Sequence, residues 1–395
     1  MRVLFLTPRP LGDPRSGGTI KSAALLAHLE RRHEVDVACL LRPGERWERE
    51  AGVCVGVPLD RTRSLGRLLA SYARRVPISI ERNRSPALAQ AVDRLVTGRV
   101  PDAVFVDGWL MAQYLPKSFD GPERTGRTLL HQHNAEHVMW LRQAELERSA
   151  LRRALVRREA SRVRTYEARI LPRFDAVFAV SEPDRAAMLE LGVAAGRVRL
   201  LPNVPAPSLL DRPPLDPIPE PNLLFLGTLS WPPNVAGLTR FLEVTFPALR
   251  GEVPEARFLL AGSGAPPSLV ALASGTPGVE FLGEVIDDEP LYRRARATVD
   301  LGIGGAGTRV KLLNALARGI PAVATPDATD GLDVSNEEHL LVAEGPSEVV
   351  RALVRLFTED DTWRRLSEAG RELVRTRYLP EIAFAALDDV LGRLA

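Results

Sequence analysis

Short apolar runs alternate along the whole chain with longer segments in which apolar positions recur every three or four residues. Buried parallel strands alternating with amphipathic helices give this pattern, so it predicts a doubly wound α/β architecture. In the first half the predicted strands are 2–7, 34–40, 103–106, 128–131 and 176–180. In the second they are 223–226, 257–261, 279–282, 298–301 and 322–325. Between the halves stands Pro202-Asn203-Val204-Pro205-Ala206-Pro207, followed by a second proline cluster from Pro213 to Pro221. So dense a proline run continues neither a helix nor a central strand and reads as a semi-rigid connector. The expected division is therefore a first domain over 1–204, a second over 205–379, and a terminal helix over 380–395 that returns to pack on the first. Pro380 suits the first turn of that helix.

A chain of 395 residues, 45% of them hydrophobic, has enough apolar surface for two cores. No run of apolar residues is long enough to span a bilayer, and the expectation is a soluble, cytoplasmic protein. Cys39 and Cys54 are the only cysteines, which excludes a disulfide framework and a cysteine-only metal cluster. The near absence of lysine beside abundant arginine, alanine and proline suggests a GC-rich bacterial coding bias. The net charge of +2 hides an asymmetry, since residues 1–205 carry 34 basic and 23 acidic side chains. A basic first half is expected to face an anionic acceptor or to touch a membrane surface peripherally. Arg61, Arg63, Arg67, Arg74, Arg75, Arg82 and Arg84 form a basic stretch within it, with apolar residues between them. It lacks the aromatic interleaving of a nucleic-acid surface, so no nucleic-acid partner is expected.

The richest chemistry lies between Gly304 and Val323. There a glycine-rich turn follows a predicted strand and leads into a helix, whose free N–H groups and dipole favour an anion. Arg309 and Lys311 add two cations, a set suited to a diphosphate. Upstream, His131-Gln132-His133-Asn134-Ala135-Glu136-His137 holds three of the six histidines. Its spacing departs from that of histidine-rich hydrolase metal sites, and no metal is expected. His133 follows a predicted strand, at the edge where open α/β sheets bind ligands. Gly17-Gly18-Thr19 before an amphipathic segment and Gly262-Ser263-Gly264 after a strand are further close-approach loops. The first does not form a Gly-x-Gly-x-x-Gly dinucleotide fingerprint.

The segment from Gly304 to Val323 resembles the donor-site block of the retaining glycosyltransferases of family four, in particular exopolysaccharide-associated sugar transferases with a Gly-Thr-Arg-x-Lys signature. Gly17-Gly18-Thr19, His133-Asn134-Ala135-Glu136, Phe174-Asp175, Val180-Ser181-Glu182, Pro202-Asn203 and the stretch Leu226 to Asn234 agree with it in order. The resemblance implies the GT-B architecture, two Rossmann-like domains facing across a cleft. It also implies a nucleoside diphosphate sugar as co-substrate, no tightly bound cofactor, and transfer to an acceptor with retention. Catalytic positions would be His133, Arg309 and Lys311. Donor-binding positions would be Gly17, Gly18, Gly227, Thr228, Gly262, Val285, Gly307, Thr308, Arg309, Lys311 and Asn314. Two departures stand out. The family's pair of glutamates is replaced by Ala306 and Asn314, and its Arg and Lys after the first strand of the second domain by Thr228 and Pro233. The missing glutamate pair raises one alternative, a catalytically silent GT-B domain that binds a sugar nucleotide or a partner glycosyltransferase; a GT-B sugar-nucleotide epimerase is a second.

Overall fold

The computed structural model describes residues 1–12, 17–120, 125–147, 149–302 and 309–392, which divide into two compact units. The first comprises residues 1–202 together with the C-terminal segment from 383; the second covers 203–302 and 309–382.

In the first unit seven strands form one parallel sheet: β1 (Arg2–Thr7), β2 (Glu34–Leu41), β3 (Cys54–Pro58), β4 (Ala103–Asp107), β5 (Arg127–His131), β6 (Ala176–Ala179) and β7 (Val198–Leu200). Their order is β3-β2-β1-β4-β5-β6-β7, so the chain reverses its direction of winding between β1 and β4. β1, β2 and β4 are buried on both faces, as helix-covered parallel strands must be. Phe5 pairs in register with Phe105, and their rings stack at 5.1 Å. The helix Ala385–Gly392 belongs to this unit: Leu387 and Leu391 are buried, and Asp388 meets His28 Nε2 at 2.9 Å.

The second unit has a six-stranded parallel sheet: β8 (Asn222–Leu226), β9 (Arg257–Ala261), β10 (Val279–Gly283), β11 (Ala297–Asp300), β12 (Ala322–Ala324) and β13 (Leu341–Val342). The order β10-β9-β8-β11-β12-β13 again places a winding reversal between the first and fourth strands. The helix Val310–Arg318 follows β11 and ends at Gly319. Its last residue, Arg318, is wholly buried and forms two bonds to Glu289, of 2.9 and 2.8 Å.

Ten of the thirteen strands fall where the apolar runs predict them. The three missing from the prediction, β3, β7 and β13, are short or peripheral. Among the described residues no helix is long and apolar enough to cross a membrane.

Candidate active site

A winding reversal opens a crevice at the carboxyl ends of the strands that flank it, and side chains that end those strands point into common space. In the first unit these are Thr7 of β1, Asp107 of β4 and His131 of β5, the last two being register partners. Asp107 is fully buried. One carboxylate oxygen receives His131 Nδ1 at 2.9 Å and His133 Nε2 at 3.0 Å; the other receives the Thr7 hydroxyl at 3.3 Å. Burial would raise the Asp107 pKa, but the charge of His133 and the hydrogen bonds from both imidazoles outweigh it and hold the carboxyl well below the usual carboxylate range. For His131, burial together with the nearby Lys21 and His133 wins over Asp107 and keeps the ring neutral. A neutral His131 donating from Nδ1 leaves its Nε2 as an acceptor.

His133 is partly exposed and wedged between two glycines. A Cβ on Gly18 would lie 3.6 Å from its Nδ1, and one on Gly108 3.2 Å from its Cδ2. Gly108 has φ +87°, a conformation that side chains rarely adopt, so both backbone and space there call for glycine. His133 Nδ1 has no hydrogen-bond partner among the described residues.

The rest of the loop is fixed from below. Glu167, fully buried on the helix Ala150–Ile170, accepts from Gln132 Nε2 at 2.9 Å, from the Glu136 amide at 3.1 Å and from His137 Nδ1 at 2.7 Å. His137 is thereby turned to Glu167, and the three histidines of the run do not converge. Among the described residues, the group of three histidine, cysteine or carboxylate side chains whose ligand atoms all lie within 4.8 Å of one another is Asp107, His131 and His133, the hydrogen-bonded set already described. Lys21, on the helix Gly17–Glu30, is fully buried and donates to the Leu201 carbonyl. Burial pushes its pKa well below the usual lysine range despite the nearby Asp107 and Asp184 carboxylates.

In the second unit Lys311 lies on the first turn of the helix Val310–Arg318. Its ammonium donates to Asp300 at 2.6 Å and to the Asn234 side-chain oxygen at 3.1 Å, and stands 4.7 Å from the centre of the Phe225 ring. The loops after β8, β9 and β10 are knitted by backbone: Gly227 N–H bonds the Ala261 carbonyl at 3.2 Å, and Gly262 N–H the Gly283 carbonyl at 2.7 Å. Gly262, with φ +150°, passes so close that a Cβ would sit 1.7 Å from the Gly227 carbonyl oxygen. The Thr228 carbonyl takes the Asn234 amide at 2.8 Å, and Val285 is half-buried beside the core around Leu224 and Tyr292.

The two halves of the sequence match two family models. Residues 17–204 match Glycosyltransferase Family 4, and residues 220–359 match Glycosyl transferases group 1. Each half of the chain thus matches a glycosyltransferase domain family, which supports a glycosyltransferase of the family-four type. No curated protein sequence matches it. Among solved structures, sucrose-phosphate synthase from Thermosynechococcus elongatus is similar over 100% of this chain and 99% of its own, with 18% identity and a TM-score of 0.72. WaaG, a glycosyltransferase involved in lipopolysaccharide biosynthesis, is similar over 99% and 100%, with 16% identity and a TM-score of 0.68. HepE of Anabaena, solved in complex with UDP and glucose, is similar over the full length of both chains, with 13% identity and a TM-score of 0.65. At these identities the likeness is one of fold, and the fold of this glycosyltransferase is GT-B.

The structure brings Gly18 and His133 together in one unit, and Gly227, Gly262 and Lys311 around the same strand ends in the other. Gly17 opens its helix, whereas Gly307 and Thr308 lie outside the described residues. Two expected donor residues are otherwise engaged. The Arg309 guanidinium donates to the carbonyls of Asp327 and Asp330, and the Asn314 side-chain oxygen accepts the Ala206 amide at 2.9 Å, with Tyr292 also hydrogen-bonded to Asn314. A ribose hydroxyl at Asn314 would have to exchange with these bonds. Asp107, Gly108, Lys21, Asn234 and Asp300 were missed from sequence. Asp107 and Asp300 each end an apolar strand at its carboxyl edge, and that position was the available signal.

Proposed function

We propose that this glycosyltransferase moves a sugar from a nucleoside diphosphate sugar to an acceptor hydroxyl, with retention at the anomeric carbon. The observation carrying this reading is the His133 ring, held by Asp107 and flanked by Gly18 and Gly108, whose Nδ1 is buried and without a partner among the described residues, so that a sugar hydroxyl reaching it would satisfy it. A residue that only packed the core would not be set between two glycines with a ring nitrogen unpaired. In the second unit Lys311, Arg309 and the N–H groups that open the helix Val310–Arg318 balance the charge of the departing diphosphate. Gly227, Thr228, Gly262 and Val285 take the nucleoside side. The bond from the anomeric carbon to the phosphate oxygen breaks while a bond to the acceptor oxygen forms on the same face. The acceptor proton passes to the departing phosphate oxygen.

The HepE complexes with UDP and UDP-glucose make uridine diphosphate sugars the first donors to try. A thermal-shift screen of nucleoside diphosphates reads base preference without an acceptor, because a ligand of the native state raises Tm by mass action. Product analysis with the donors so chosen then decides: transfer or donor hydrolysis supports the reading. Epimerised donor, or binding with no turnover under any acceptor condition, overturns it.

A further inference from the structure

The helix Leu65–Ala73 is turned inside out. Its buried position is polar, Ser71, while Leu65 (70% exposed), Leu69 (63%), Tyr72 (42%) and Leu68 stand in solvent. Ser71 is held there by Arg162, which donates to its carbonyl at 3.0 Å and its hydroxyl at 3.2 Å. The same Arg162 lies 4.1 Å over the Tyr72 ring, with Arg158 at 5.4 Å, so this helix is pinned beside the helix Ala150–Ile170. That second helix also carries apolar residues outward, Leu151 (72%) and Leu155 (57%), one turn apart on one face.

The second helix projects. Glu167 sits under Gln132 at the carboxyl end of β5, so Leu155 and Leu151 lie about 18 and 24 Å further along the helix. It packs against the helix Glu136–Leu146 as a hairpin, on which Leu141 is exposed as well. Around the leucines of the two helices arginine predominates, the nearest acidic residues along the second helix being Glu147 before it and Glu159 within it. Residues 65–73 and 150–158 hold no acidic side chain, and they include Arg67, Arg152, Arg153, Arg157 and Arg158. A solvated surface helix normally turns its apolar face to the core, whereas here four leucines in i, i+4 pairs stand outward in a surround dominated by arginine.

We propose that this patch, Leu65, Leu69, Tyr72, Leu151 and Leu155 with their arginine surround, docks the chain on the surface of a membrane containing anionic lipid. The leucines enter the boundary between headgroups and acyl chains while the arginines meet lipid phosphates, the division of labour of an interfacial amphipathic surface. The tip extends from the end of the first unit that holds His133, so docking would bring that end toward lipid-borne molecules. The proposal stands apart from the transfer reaction, because vesicle binding needs neither donor nor acceptor.

The test is flotation of the full chain with vesicles of phosphatidylcholine alone or mixed with phosphatidylglycerol, at low and high salt, alongside sedimentation velocity without vesicles. The expected result is binding to the anionic vesicles, weakened by salt. Arg152→Gln and Arg157→Gln should each weaken it about fivefold, and the pair Leu69→Gln with Leu155→Gln at least tenfold. All four positions are exposed, so Tm should not fall; the pair Leu65→Gln with Leu151→Gln repeats the measurement should one variant fold poorly. Three results would overturn the proposal: no vesicle binding, equal binding to neutral and anionic vesicles, or undiminished binding by both leucine pairs. A dimer in solution that the leucine pairs abolish would also overturn it, assigning the patch to a second copy of the chain.

Discussion

Replacing Asp107 separates what its charge does from what its shape does. In Asp107→Asn the remaining amide oxygen can still accept from both His131 Nδ1 and His133 Nε2, while the amide nitrogen faces the Thr7 hydroxyl, which can turn to accept. The geometry survives, and two charge-assisted hydrogen bonds become neutral ones, about half as strong. With hydrogen bonds to charged groups worth about 1.5–3 kcal/mol, the loss felt at His133 is about 1–2 kcal/mol, or roughly 5- to 30-fold in turnover. Asp107→Ala removes the acceptor altogether and should cost more than about 100-fold, with a lowered Tm. Turnover would be followed by nucleoside diphosphate release, and affinity for the bare diphosphate by calorimetry. Because the proposed diphosphate groups belong to the second unit, Asp107→Asn should leave that affinity within about twofold. The reasoning fails if Asp107→Asn turns over within about twofold of wild type, or if affinity, turnover and Tm all fall together.

Lys311→Ala should weaken diphosphate binding and slow transfer by about 10- to 1000-fold, and Arg309→Ala should do the same with an added loss of Tm, since Arg309 also braces Asp327 and Asp330; wild-type kinetics in both would remove the phosphate site. Gly262→Ala forces a Cβ against the Gly227 carbonyl and should lower Tm by about 5 °C or more, an unchanged Tm counting against the packing. The Glu136 carboxyl is raised to about 8 by burial first and by Glu167 second. The unfolded chain releases this proton near pH 4.5 and the folded chain holds it to about 8, so Glu136 reduces stability progressively as pH rises between those values. Glu136→Gln should therefore gain Tm over wild type at pH 8 but not at pH 4, and a gain independent of pH would show that the carboxyl does not titrate this way.

The sheets were readable in the sequence because strands covered on both faces appear as unbroken apolar runs, and β1, β4 and β9 were found almost to the residue. The strands missed were those without such cover: β3 is half-buried along its length and β13 spans only Leu341 and Val342. The same reliance on apolar continuity hid the site. The run Ala103–Val106 stops being apolar at Asp107, yet the backbone continues as strand through that carboxylate. In a parallel sheet the last residue of a central strand is where a polar side chain reaches ligand, so a pattern that ends at the first charge discards the functional residue. The inside-out helix Leu65–Ala73 shows a related weakness. Its periodicity is helical whichever face is outward, and only the burial of Ser71 decides it.

Arg309 and Lys311 show how far nearness in sequence is from convergence in space. An α-helix turns about 100° per residue, so side chains two positions apart leave it in roughly opposite directions. Arg309 accordingly reaches the carbonyls after β12, while Lys311 reaches back under the sheet edge to Asp300 and Asn234. Asp300 already balances the charge of Lys311, and an incoming diphosphate meets a paired ammonium rather than a free one. Its remaining charge must then be met by the helix N-terminus and by whatever part of Arg309 it draws from those carbonyls. If so, removing Asp300 while keeping its shape should strengthen diphosphate binding, because the ammonium would lose its competitor. Asp300→Asn is therefore expected to bind the diphosphate severalfold more tightly than wild type. Weaker binding by a stably folded Asp300→Asn would mean that the carboxylate serves to position Lys311 rather than to compete for it.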